Sequence, residues 1–80
     1  MKLPRDLSGR ELAKHLATLG YELTRQTGSH MRLTRPGPPP HHVTIPAHDP
    51  LKLGTLAAIV GEVASALRIP RDELVRRLFE

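Results

Sequence analysis

Cysteine and tryptophan are absent from this 80-residue chain, and Tyr21 and Phe79 are its only large aromatic residues. Without cysteine, disulfide stapling and thiol nucleophiles are excluded, and the composition suits a reducing, intracellular setting. With so few aromatic rings, recognition of single-stranded nucleic acid by base stacking has little to work with. No apolar run approaches the roughly 20 residues that span a bilayer. The opening Met1-Lys2-Leu3-Pro4-Arg5-Asp6 also lacks the continuous apolar segment of a secretory signal. The expectation is a cytoplasmic protein with no membrane contact. The length is that of one domain, residues 1–80. A domain this small buries only about 60% of the surface its unfolded chain exposes, so every apolar helix face is needed.

What the chain has in excess is positive charge. Twelve Lys and Arg against eight Asp and Glu give a formal net charge of +4 and a sequence pI near 10.4. Such a balance favours polyanionic partners, whether RNA, DNA or an acidic protein surface. It does not choose among them, and it is also compatible with charge that only keeps a domain dispersed.

Ser8 and Glu11 have the spacing of a helix capping box, with Leu7 and Leu12 placed to close a hydrophobic staple. Leu12, Leu16 and Leu19 then form one apolar stripe, and Gly20 ends the helix. Alternation from Tyr21 to Gln26 predicts a half-buried strand with Tyr21 and Leu23 inward and Thr24 and Gln26 outward. A Thr27-Gly28-Ser29 connection leads into a second strand that begins at His30, with Met31 and Leu33 inward. The prolines from Pro36 to Pro40 break the pairing. A third strand, His41 to Ile45, points Val43 and Ile45 inward. Gly54 to Leu67 has helical spacing. Pro70, the acidic Asp72 and Glu73, and the basic Arg76 and Arg77 outline a short last helix over about 70–79. The predicted class is α+β: αβββα, a three-stranded antiparallel sheet with helices on one face, plus the C-terminal helix.

By strand parity the uncovered sheet face carries Thr24, Gln26, His30, Arg32, Thr34, His42 and Thr44. Histidine is the residue whose ordinary pKa, about 6.5, lets it move protons near neutrality. A histidine base and a neighbouring cation are sufficient equipment for RNA cleavage when the ribose 2′-hydroxyl is the nucleophile. His30 is the candidate base, and His42 and His48 are candidates for the acid that protonates the leaving group. His41 and His42 are strand neighbours, so their side chains diverge to opposite faces, and no cluster with metal-site spacing is present. No metal or cofactor is expected. His15 lies on the flank of the first helix without a chemical role.

The ordered features Gly20-Tyr21, Gly28-Ser29-His30, Ile45-Pro46-Ala47-His48 and Gly54-Thr55-Leu56 resemble the HicA family of toxin ribonucleases. They span most of a core of about 8–67. The resemblance implies a fold similar to a double-stranded-RNA-binding domain, metal-independent cleavage of mRNA, inhibition of translation and neutralisation by a HicB antitoxin. The catalytic histidine of the family's Gly-Ser-His motif falls on His30. Gly28, Ser29, Arg32 and Lys52 are the expected RNA-binding residues, and the free toxin is expected to be a monomer. The helix after Ile69 goes beyond the family's short core pattern, and three further features depart from it. Leu33 stands where an aromatic residue is frequent, the connection before His41 is rich in proline, and Leu53 separates Lys52 from Gly54.

Two other functions fit the composition. A noncatalytic module of this shape recognises A-form RNA through backbone and 2′-hydroxyl contacts. A domain built to bind an acidic protein would associate with it in a salt-sensitive way and ignore RNA.

Overall fold

The computed structural model describes residues 3–80, so the first two residues of the opening hexapeptide lie outside the described chain. Helix α1 spans Gly9–Ala17, and its start is fixed by the capping box read from the sequence. The Ser8 hydroxyl accepts from the Glu11 backbone N–H at 3.0 Å, and the Ser8 N–H donates to the Glu11 carboxylate at 2.9 Å. The helix stops at Thr18, and Gly20, with a φ of 95°, turns the chain toward the sheet.

Three antiparallel strands follow in the order β1 (Glu22–Thr27), β2 (His30–Arg35) and β3 (His41–Pro46), with β2 central. Helices α2 (Leu53–Leu67) and α3 (Arg71–Phe79) complete the chain. The αβββα arrangement and the extra C-terminal helix agree with the sequence reading.

One hydrophobic cluster joins the layers. Leu12 and Leu16 of α1, Met31 and Leu33 of β2, Val43 and Ile45 of β3, Leu56 to Ala64 along one side of α2, and Leu74, Val75 and Leu78 of α3 are all buried. Leu7 and Leu51 also join the cluster, and the Leu51 N–H donates to the Leu7 carbonyl at 2.8 Å. Pro70 stands one residue before α3 as its N-cap, and Asp72–Arg76 and Glu73–Arg77 pair across one turn of that helix. His15 packs edge-on against Phe79, with ring centroids 5.0 Å apart.

The edge strand β1 departs from the predicted pattern in two ways. All six of its residues are exposed, including Leu23 at 53%. Leu23 pairs with Leu33 and so faces the helix side as expected, but α1, which reaches β1, leaves this side chain half uncovered. The second difference is a β-bulge between Leu23 and Arg25 that leaves Thr24 without a partner. One additional residue inverts the parity beyond it. Gln26 now pairs with the buried Met31 and lies on the helix side, whereas Arg25 pairs with Arg32 and lies on the open face. Strand parity alone predicts Gln26 on the open face, and the bulge overturns that placement.

Gly9 is needed where α1 meets β3. A Cβ at this position would lie 2.0 Å from the Pro46 carbonyl oxygen, and the Gly9 N–H donates to the His48 carbonyl at 2.9 Å. The beginning of α1 is therefore locked to the end of β3.

Candidate active site

The open sheet face consists of three short rows of side chains. Cross-strand register sets Thr27 and Pro46 beside His30, Arg25 and Thr44 beside Arg32, and His42 beside Thr34, with Glu22 opposite Thr34 on the other side. Directly paired residues emerge on the same side of a sheet, so these side chains share one surface. His30, Arg25, Arg32 and His42 are all exposed on it.

His30 is the first residue of β2, delivered by a two-residue turn. Gly28 has a φ of 57°, while Ser29 stays outside the left-handed region, the pattern of a type II′ hairpin with glycine at its first central position. The turn is also tied down from β3, because the Ala47 N–H donates to the Ser29 carbonyl. His30 is thus anchored on both sides, by Thr27 and by Pro46. Its exposed imidazole makes no hydrogen bond to another described side chain and is open to a ligand.

His48 lies at the same end of the sheet as His30. Ala47 binds the hairpin turn, the His48 carbonyl binds α1, and the segment continues through Leu51 to Lys52, the N-cap residue of α2. Both His48 and Lys52 are exposed. His42 is elsewhere. It stands opposite Thr34, four residues along β2 from His30, or about 13 Å at a strand rise of ~3.3 Å per residue. The row of Arg25, Arg32 and Thr44 stands between the two histidines on this face.

What holds His42 is a chain of hydrogen bonds across all three strands. The Thr24 hydroxyl lies 3.3 Å from the Arg32 carbonyl and 2.9 Å from the Thr34 hydroxyl, which lies 2.8 Å from His42 Nδ1. Each hydroxyl has a single proton, and a carbonyl accepts only. One assignment satisfies every contact: Nδ1–H donates to Thr34, Thr34 to Thr24, and Thr24 to the carbonyl. His42 Nε2 is left facing solvent, and Thr24 is pinned in the bulge.

His41 serves the opposite side of the sheet. Its Nδ1 lies 2.7 Å from the buried Tyr21 hydroxyl, and its Nε2 is 3.8 Å from Glu62 of α2. The His41 ring thus stands between the buried phenol and the Glu62 carboxylate. Burial raises the Tyr21 pKa above its ordinary value, with Glu62 acting in the same direction and Arg35 opposing. The divergence of His41 and His42 expected from strand parity is what is found.

Among the described residues no three histidine or carboxylate side chains come together in a way that could hold a metal ion. A shallow groove between the proline-rich connection and the end of α2, lined by residues including Arg35, Pro38, Leu67 and Arg68, lies at the far end of β2 from His30. It takes no part in this site.

Arg25 is the residue that sequence reasoning missed. After Leu23 the strand reads Thr-Arg-Gln-Thr, with no apolar residue to report which face is which. Either parity fits that pattern, and the bulge chooses.

The fold and this surface define a small basic α+β domain whose helices cover one sheet face and whose other face displays imidazole, guanidinium and hydroxyl groups. A family model described as the HicA toxin of bacterial toxin-antitoxin systems matches residues 9–66, and the chain belongs to that family. Its function class is therefore that of a toxin with a cognate antitoxin. Neither the comparison with curated proteins nor that with solved structures returned a match.

Proposed function

We propose that the protein is a toxin ribonuclease that cleaves mRNA with His30 as general base, and that a HicB-type antitoxin neutralises it. The observation that carries the reading is the placement of His30: an exposed imidazole on the first residue of the central strand, fixed by a glycine turn, two residues from Arg32 on the same face.

In the first step the neutral imidazole of His30 removes the proton of a ribose 2′-hydroxyl. The oxygen attacks the adjacent phosphorus, and the bond to the 5′-oxygen of the next nucleotide breaks. A 2′,3′-cyclic phosphate and a 5′-hydroxyl result. Negative charge grows on the phosphoryl oxygens as the bond forms, and the Arg32 guanidinium is available to stabilise it. The leaving oxygen needs a proton, and His48, at the same end of the sheet, is the better placed of the two candidate acids; His42 stands opposite Thr34, four residues further along β2. Gly28 and Ser29 shape the turn against which the ribose docks, and Lys52, exposed at the start of α2, adds positive charge for the RNA.

The test uses purified protein and RNA in the presence of EDTA. Cutting by the full chain with cyclic-phosphate ends, and none by His30→Ala of unchanged thermal stability, is the expected result. Loss of cutting in chelator would contradict a side-chain mechanism. Binding of RNA by both proteins with no cutting by either would favour the noncatalytic module. In cells, growth arrest with loss of mRNA should accompany only the wild type and be relieved by co-expressed antitoxin.

A further inference from the structure

We propose that Arg25 and Arg32 form a phosphate clamp for the RNA backbone, assembled by the bulge at Thr24. The proposal rests on the reading above in one respect only, that the polyanion on this face is RNA.

The two arginines are direct cross-strand partners on the open face, so their Cβ atoms lie about 5 Å apart. Like charges in that position repel each other and weaken a sheet. Among the described residues neither is compensated: the ion pairs formed are His41–Glu62, Asp72–Arg76 and Glu73–Arg77. The acidic residue nearest in register is Glu22, opposite Thr34, and it makes no ion pair with either. A phosphodiester resolves the conflict, because two planar guanidinium forks can grip its non-bridging oxygens together while their mutual repulsion is neutralised.

The bulge makes the pair possible. In a regular strand Arg25 would face the helix side and Gln26 would stand on the open face; the additional residue exchanges them. The Thr24 hydroxyl, donating to the Arg32 carbonyl, fastens the bulge to the backbone of the second arginine. The clamp is also adjacent to the chemistry. Arg32 is two residues from His30 on one face, about 7 Å along the strand. A backbone held there runs directly past the imidazole.

The experiment measures binding of a fully 2′-O-methylated RNA oligonucleotide, which lacks the nucleophile and survives contact with the intact site. The full chain is compared with Arg25→Gln, Arg32→Gln and the charge-conserving exchange Arg25→Gln/Gln26→Arg across a salt series, with circular dichroism and melting as folding controls. Each single variant should bind roughly tenfold more weakly and lower the slope of log affinity against log salt by about 0.7, the value for one lost single-strand phosphate contact. The exchange variant keeps the net charge but moves the guanidinium to the helix side, so it should behave as Arg25→Gln.

Wild-type binding and slope in Arg25→Gln, or full recovery in the exchange variant, would overturn the clamp, as would a full chain with no salt-dependent affinity for the oligonucleotide. Failure of the ribonuclease reading is separately visible. If unmodified RNA survives the full chain while the arginine variants lose affinity, catalysis by His30 falls and the clamp stands.

Discussion

At the scale of single residues, the contrast between His30 and Tyr21 shows how one scaffold keeps one polar group available and another occupied. His30 is open to solvent with a fixed backbone, as a general base requires. Tyr21 is 1% exposed, and its hydroxyl is satisfied by His41. Replacing Tyr21 by Phe removes one hydrogen bond at a part-buried site and should cost about 1 kcal/mol in denaturant unfolding. Burial also gives a pH signature. The folded-state pKa of Tyr21 lies above the ordinary 10.0, so its contribution to stability is complete below about pH 10 and is lost as pH rises through the folded value. Tyr21 is the only tyrosine and no tryptophan is present, so phenolate absorbance reports this group alone. Titration of the folded protein should come at higher pH than in denaturant, and coincident curves would remove burial as the cause. His30 was legible in the sequence because Gly28-Ser29-His30 couples a turn residue to a strand start. Leu23 was misjudged in burial though not in direction: alternation tells which way a side chain points, and coverage by another layer is a tertiary matter.

At the scale of elements, the sequence was clearest where local side-chain chemistry decides the backbone. Both bonds of the α1 capping box follow from Ser8 and Glu11 alone, and they form as expected. Ser8→Ala should lower stability by about 1 kcal/mol. The Ser8 backbone N–H, and then its hydroxyl, hold the Glu11 carboxyl below its ordinary 4.5. That contribution is present above pH 4.5 and fades as pH falls through the lowered value. Acid unfolding of Ser8→Ala, which keeps the backbone N–H, should accordingly show a somewhat smaller loss over that interval than the wild type does, and parallel profiles would mean that the Ser8 hydroxyl contributes nothing through Glu11. The bulge in β1 lies beyond such reasoning. It depends on Thr24 meeting Thr34 and the Arg32 carbonyl, partners eight to ten residues away in sequence. A hydroxyl pair across strands leaves no periodic trace, and the all-polar segment after Leu23 supplies none to contradict. The occupants of the open face were therefore readable on two strands of the three. His30, Arg32 and His42 were placed on it from β2 and β3, whose apolar residues fix parity, and Arg25 was lost with β1.

At the scale of the whole molecule, the sheet divides the protein into a face that stabilises and a face that is free to bind. No single helix among the described residues is long and apolar enough to cross a membrane, and the apolar sides of α1, α2 and α3 converge on one cluster. The match to the toxin family ends at residue 66, yet α3, beyond it, supplies Leu74, Val75 and Leu78 to that cluster and contacts both α1 and α2. Leu74 is fully buried. Helix α3 is then a necessary part of the core rather than an appendage, because a chain of this size has little apolar surface in reserve. Leu74→Ala should cost about 2–5 kcal/mol, the range for truncating a buried leucine. Against a total stability of about 5–15 kcal/mol, that would unfold a substantial fraction of the protein on modest heating. Thermal melting of Leu74→Ala beside Arg76→Ala, a change on the exposed side of the same helix, separates packing from helix propensity. A large drop in Tm for the first and a small one for the second is expected, and equal small drops would mean that the region of the family match is stable by itself.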